Sequence, residues 1–410
     1  MNPSFCKNKV KSALWVVFFT CLTLSFWKTS SLYTLFDYSS NNVTMLPTVG
    51  FLAANSTRIN CRGVLDIIVS GTWKSRPMTS NQKAEMRKFL EIARNGHALP
   101  PTLQRKDKKC GNVNFLKTGR HFRALCDQYG STPCCYNNTC VAKEVEECRC
   151  KNCFDTRQSL HAEYADWLPS DKGCHLRKYN NRTACQLLAG RTILFSGDSL
   201  MRHMYTSLLL LLRNNTFDGA MKKNVTKDIH DKCTGMFMFT EKICRLQLDI
   251  APRDLCGGQF ELIFTEYYHT GLSRKFVDKV KELMARKKVL IIAGIGFHSG
   301  FNHRVIMDQY VAPALKVIQK HNGTQFLFAP PHCPGLLKNS WNGQSKEIIE
   351  QYVVRMKKEL KPHNVPIFDT CNLTSGMESF DGTHFGLGIN MLKVQLLLNY
   401  IQELQVNNKW

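Results

Sequence analysis

From Arg191 onward the chain alternates short, wholly apolar runs with longer amphipathic ones, and this alternation restricts the fold more than any other feature. TILFS (192–196), QFELIF (259–264), VLIIA (289–293), QFLFA (325–329) and VPIFD (365–369) read as strands. Residues 199–213, 273–288, 304–321, 344–361 and 388–404 read as helices. Short strands without an alternating polar face belong in a sheet covered on both sides. Strand–helix alternation makes that sheet parallel. The expected fold is α/β: a three-layer α/β/α domain over 181–410 with a mainly parallel five-stranded sheet. In such sheets sites form beyond the carboxyl ends of the strands.

Residues 61–180 carry no such rhythm and are expected to form a disulfide-rich irregular segment ahead of the α/β domain. One amphipathic helix is legible over 80–96, with Met86, Phe89, Leu90 and Ala93 on one stripe and Gly96 placed to end it. Eight cysteines follow between Cys110 and Cys153, where helix and strand signals almost vanish. Cross-links then have to replace a core. CRCKNC (148–153) has spacing that could also ligate zinc; disulfides are the expectation, with connectivity open. No metal site is expected in the α/β part.

The compartment follows from the N-terminus and the sequons. Residues 1–11 carry Lys7, Lys9 and Lys11, and 12–27 are uncharged up to Lys28. The basic flank stays cytoplasmic, so 12–27 reads as an uncleaved signal anchor and 28–60 as a polar stem. The alternative is a cleaved signal and a secreted protein. Eight Asn-x-Ser/Thr sequons begin at Asn42, Asn55, Asn137, Asn181, Asn214, Asn224, Asn322 and Asn372. Beyond Cys6 and Cys21, 16 of the 18 cysteines remain, an even number that suits an oxidising lumen. The expected setting is a single-pass type II protein of the Golgi or endoplasmic reticulum membrane. A net charge of +23 would suggest nucleic acid in the nucleus or cytosol. In a lumen it suits an anionic glycan, or is simply a solvated basic surface. No nucleic-acid partner is expected.

Chemistry concentrates at two points. In ILFSGDSLMRHMY, Ser199 follows the first strand and opens a helix, among free N–H groups and the positive end of a dipole. A serine hydroxyl needs a base. SFDGTHFG (379–386) follows the fifth strand and puts Asp381 three residues before His384. In one tight loop Asp381 can fix the imidazole tautomer and leave the other nitrogen for Ser199. Each motif alone also has a plain reading, a helix cap or a turn; their joint position at one sheet edge favours catalysis. GIGFHSG (294–300) lacks the spacing of a phosphate-cradling loop. His298 and His332 follow the third and fourth strands and read better as structural histidines than as lining of the site.

FSGDSLMRHMY together with the C-terminal DGTHF resembles the SGNH/GDSL hydrolase superfamily, and more narrowly its PC-esterase and trichome-birefringence-like branch. DWLPSDKGCHLRKYNNRTACQLLAGRTILFSGDS, with Trp167, Pro169 and Cys174, resembles the run before Gly-Asp-Ser in plant members. CRGVLDIIVSGTWKSR (61–76) is a fainter echo of their opening. The resemblance implies Ser199 as nucleophile, His384 as base, Asp381 as its orienter and Asp198 as a turn-former. It also implies a glycine and an asparagine as oxyanion donors. No asparagine directly follows the third strand, so Gly294 or Gly296 and the more distant Asn302 are the candidates, with Gly257 and Gly258 as second donors. Arg202 could face substrate, or solvent; His203 could face substrate, or pack. The implied activity is lumenal acyl (acetyl) transfer to glycan hydroxyls through an acyl-enzyme on Ser199. The alternatives are a carbohydrate esterase of the same fold and an inactive glycan-binding protein. No bound cofactor is expected: acetyl-CoA or another acetyl donor is a co-substrate. The partners are a glycan or polysaccharide acceptor and, for a cytosolic donor, a separate transporter.

Overall fold

The structure, a computed structural model, describes residues 63–97, 99, 103–114, 122–240, 242–338 and 343–410. The anchor expected at 12–27, the stem at 28–60, and Asn42 and Asn55 lie outside them. Among the described residues no helix is long and apolar enough to cross a membrane.

The sheet has strands β1 (Arg191–Gly197), β2 (Phe260–Thr265), β3 (Val289–Gly294) and β4 (Thr324–Phe328). They are parallel and lie side by side in the order β2-β1-β3-β4. Helices α1 (Ser199–Leu212), α2 (Ser273–Leu283), α3 (Ala312–Ile318), α4 (Lys346–Leu360) and α5 (Leu387–Val406) cover it. The period of two along each strand divides the core. Ile193, Phe195, Leu290, Ile292 and Leu327 join Leu208 and Leu209 of α1 and Val394, Leu397 and Leu398 of α5. Leu194, Val289, Ile291, Ala293, Phe326 and Phe328 point the other way, to Phe276 and Val280 of α2, Leu315 and Ile318 of α3, and Met356 of α4. Three layers therefore form as expected. β2 lies at an edge, so it alternates: Phe260, Leu262 and Phe264 are buried, while Glu261 pairs with Arg286 outside.

The fifth strand is a correction. VPIFD runs beside β4 but makes a single parallel bridge, Phe328 to Ile367. Pro366 has no N–H to give to a ladder; its carbonyl accepts from Phe328 N–H at 3.1 Å, and Phe368 N–H reaches the Phe328 carbonyl at 2.8 Å. The sheet thus has four strands. The helix expected over 304–321 is also interrupted. It runs His303–Ile306, then one π-turn at Met307–Val311, then α3. Pro313 near the start of α3 cannot donate back into the preceding turn, which accounts for the bulge.

The cysteine-rich stretch forms a small antiparallel sheet of Cys134–Tyr136, Thr139–Val141 and Cys153–Asp155. Cys110–Cys135, Cys126–Cys140, Cys134–Cys148 and Cys150–Cys153 staple it, so the thiols of CRCKNC are in disulfides. Three more, Cys185–Cys256, Cys233–Cys244 and Cys333–Cys371, link segments of the α/β region. Segment 63–96 lies on the α1/α5 face. The helix Ser80–Asn95 buries Met86, Phe89, Leu90 and Ala93, the stripe read from sequence, and is capped by a reciprocal Thr79–Gln82 box. Glu403 of α5 accepts from Gly63 and Val64 N–H. Gly71–Ser75 pairs antiparallel with Ala165–Pro169, and Trp73 meets Trp167 edge-on at 5.3 Å. Of the sequon asparagines that are described, Asn137, Asn214, Asn224, Asn322 and Asn372 are exposed and Asn181 is half-buried.

Candidate active site

β1 ends at Gly197, where a Cβ would run into the Gly294 carbonyl and the Met201 side chain. Only glycine lets β1, β3 and α1 approach this closely. Asp198 then caps α1: it is buried, and its Oδ1 accepts from Leu200 N–H at 2.9 Å. Burial pushes the Asp198 carboxyl up, against that hydrogen bond and nearby positive groups. The turn-forming role expected of Asp198 is the one it plays. Ser199 is the first helical residue, half-buried at the carboxyl edge between β1 and β3. With the strand order above, the connections leaving β1 toward β2 and β3 toward β4 run in opposite directions here and open a crevice.

The 379–386 loop arrives at the same edge. Ser199 Oγ lies 2.7 Å from His384 Nε2, and His384 Nδ1 lies 2.6 Å from Asp381 Oδ2. Asp381 Oδ1 accepts from His384 N–H at 2.6 Å and Thr383 N–H at 2.8 Å. A carboxylate only accepts, so Nδ1 carries the proton and Nε2 is free to take that of Ser199. Burial alone would raise the Asp381 carboxyl. The charge of His384, its hydrogen bonds and the nearby His97 outweigh burial and hold it far below the usual carboxylate range. The loop turns at Gly382, φ 82°, where a Cβ would stand 2.6 Å from Lys338 N. Ser199, His384 and Asp381, singled out from sequence at a separation of some 185 residues, are thus one hydrogen-bonded chain.

The secondary candidates fare differently. Gly296 is buried on the loop after β3, at the Ser199 edge, pressed against Pro331 and Tyr352. Asn302 is exposed and caps the short helix His303–Ile306, its Oδ1 accepting from Val305 N–H at 3.2 Å. Gly258 is a correction. It precedes β2, and in a parallel sheet the turn before a strand lies at the amino edge, opposite Ser199. Its N–H is bonded to the Leu255 carbonyl, and Gly257 shares this turn. Arg202, one turn into α1, pairs with Glu266 just past β2 at 2.9 Å. Burial pulls its guanidinium down. His203 is buried, edge-on to Phe239 at 5.3 Å and 5.1 Å from the His384 ring. Burial, with His384 and Arg202, keeps it well below the usual imidazole value. His298 is exposed beside Tyr268, and His332 is buried and structural in character.

Two residues escaped the sequence reading. His97 Nε2 sits 3.7 Å from Asp381 Oδ2, with its ring against Phe380. It comes from just past the Ser80–Asn95 helix, and no spacing links it to 381. Lys393 is a buried lysine in α5. There the signal was present: one cation inside the apolar run GINMLKVQLLL.

No family model matches the chain. A rice protein (Oryza sativa subsp. japonica) described as probable xylan O-acetyltransferase 11 is 40% identical over 59 residues, 14% of this chain and 15% of that protein. Among solved structures, Est24, a carbohydrate acetylesterase from Sinorhizobium meliloti, has 14% identity and a TM-score of 0.32 over 52% of this chain and 99% of its own. An aryl esterase of M. smegmatis has 15% identity and a TM-score of 0.31, over 54% and 99%. The motifs and the rice match agree: this chain is similar to the trichome-birefringence-like branch of the SGNH/GDSL superfamily.

Proposed function

We propose that the chain is a serine-dependent O-acyltransferase that moves an acetyl group to a glycan hydroxyl in the secretory lumen. The observation that carries this reading is the unbroken chain from Ser199 Oγ through His384 to Asp381. In the first step Ser199 Oγ attacks the acetyl carbonyl of a donor, acetyl-CoA or another activated acetyl compound. Its proton passes to His384 Nε2, and Asp381 stabilises the imidazolium. His384 then protonates the leaving group, which departs and leaves an acetyl-serine. A sugar hydroxyl attacks that ester, gives its proton to His384, and Ser199 is regenerated. The α1 N-terminus and the buried Gly296 loop supply the backbone that faces the developing oxyanion. If water takes the place of the sugar, the same steps describe an esterase.

Transfer is favoured by the partial match to the rice protein described as a probable xylan O-acetyltransferase, a description that includes a carbohydrate acceptor. The net charge of +23 suits an anionic glycan. The exposed sequons and the disulfides suit a Golgi or endoplasmic-reticulum lumen. The segment 12–27 would supply a type II anchor, and a cytosolic donor would need a separate transporter. The test uses the full-length protein and its Ser199→Ala variant, with an acetyl donor and a glycan panel read by mass spectrometry. Acetylated glycan formed only by wild type supports transfer. Acetate release alone points to an esterase. Identical behaviour of wild type and variant, with no labelling by a fluorophosphonate, overturns the serine mechanism in favour of a glycan-binding protein.

A further inference from the structure

Behind the loop that carries His384 lies a second polar chain. His332, on the loop after β4, is 3% exposed, and Lys393 of α5 is 2% exposed. Lys393 Nζ stands 2.6 Å from His332 Nδ1, and His332 Nε2 stands 2.8 Å from the Thr383 carbonyl. A carbonyl only accepts, so His332 carries its proton on Nε2, and Nδ1 receives one from Lys393. Three residues before Lys393, Asn390 Nδ2 donates to the carbonyls of Phe385 at 2.9 Å and Gly386 at 2.8 Å. Carbonyls on both sides of His384 are therefore held by buried donors, while Asp381 holds the N–H groups of Thr383 and His384.

A buried ammonium is costly, and an apolar residue would pack α5 more cheaply. The groups facing the pair are Asp198 at the N-cap of α1, His203 within α1, and Asp381 and His384 on the loop. We propose that Lys393 and His332 are positioning residues: the lysine fixes the His332 tautomer, His332 fixes the Thr383 peptide, and His384 is thereby aimed at Ser199. Burial pushes Lys393 down to about 7, partly opposed by Asp198, and pushes His332 far below its usual value. The pair thus shares one charge at most near neutrality.

The catalytic part of this inference rests on the serine mechanism proposed above; the geometric part does not. The test compares full-length wild type with His332→Phe, His332→Gln and Lys393→Met. Gln keeps an N–H where Nε2 stood; Phe does not. One measurement is the 15N shifts of His384, which report its tautomer whether or not the protein turns over. The other is the rate of fluorophosphonate labelling against pH. Expected are a mixed His384 tautomer and labelling slowed roughly 10–100-fold in His332→Phe, as for a catalytic group misplaced by about 1 Å. His332→Gln should stay within about fivefold of wild type, the partial rescue that a retained donor predicts. Lys393→Met should likewise give a mixed His384 tautomer and slower labelling, because His332 loses the donor that fixes its Nδ1. An unchanged tautomer and unchanged labelling rate in both His332→Phe and Lys393→Met, folded as judged by melting temperature, overturn the proposal. If wild type itself does not label, the serine mechanism fails and the His384 tautomer alone decides this inference.

Discussion

At Asp381 one carboxylate accepts from an imidazole and two peptide N–H groups. Replacing it by Asn keeps the shape but turns one oxygen into a donor, which favours the wrong His384 tautomer. Asp381→Asn is expected to slow fluorophosphonate labelling by about 10³–10⁴-fold, with the fold retained. The same carboxylate has a stability signature. Its folded value is depressed below 3.8, so its contribution is complete above that value and drains away as pH falls toward the folded one. Denaturant titrations of wild type and Asp381→Asn should therefore differ most near neutrality, with a gap that begins to narrow below about pH 4 and keeps shrinking as the pH falls toward the depressed folded value. A gap that stayed constant with acidification would mean that Asp381 is not ionised in the folded protein. Asp381, His384 and Ser199 were legible because each sits where a strand-to-helix connection must emerge. His97 was not, because its approach to Asp381 depends on how a remote segment is laid across the domain.

Single elements show where pattern suffices and where it fails. The apolar period gave four strands and the ends of α1, α4 and α5 to within about two residues, because tertiary burial and local pattern agree there. It over-extended the sheet at VPIFD, since the apolar run hides that Pro366 cannot extend a ladder. It read 304–321 as one helix despite Pro313. The family resemblance put Gly258 among the second oxyanion donors, although the direction of a parallel strand already places that turn at the other edge. The loop bearing His384 is held by two local devices, each of which is testable. Gly382→Ala would force a side chain into the left-handed region and against Lys338 N. A loss of about 1–3 kcal/mol in unfolding free energy is expected, with slower labelling. Cys333–Cys371 ties the loop of His332 to the segment leading into Asp381, across a sequence separation of 38. Its removal by paired Cys→Ala changes should cost about 2–4 kcal/mol and lower the melting temperature by several degrees. Labelling unaffected by both changes would show that the loop is set by α5 alone.

On the scale of the whole molecule, the irregular N-terminal part is not an appendage. Sequence texture divides the chain at about 180, because the strand–helix rhythm begins there. Packing does not respect that division. Ile68, Met86, Phe89, Leu90 and Trp167 belong to the same core cluster as Leu208 of α1 and Leu397 of α5. Trp73 Nε1 donates to the Leu373 carbonyl at 2.9 Å, and Arg94 pairs with Glu378 at 3.0 Å, just before the His384 loop. Full burial of a large apolar side chain contributes about 2 kcal/mol. Exposing five of them removes a gross contribution of the same order as the roughly 5–15 kcal/mol net stability of a folded domain, before the entropy of ordering the segment is counted. A fragment of residues 181–410 would expose the α1/α5 face, lose the contact of His97 with Asp381, and leave the His384 loop without its Arg94 anchor. It is expected to be insoluble or to melt without a cooperative transition. A chain of residues 61–410 is expected to unfold in one calorimetric transition, because the two parts share one core. A soluble, cooperatively folded 181–410 fragment that still labels at Ser199 would mean that the α/β layers hold the site unaided. The N-terminal contacts would then serve to shape what the site admits rather than to build it.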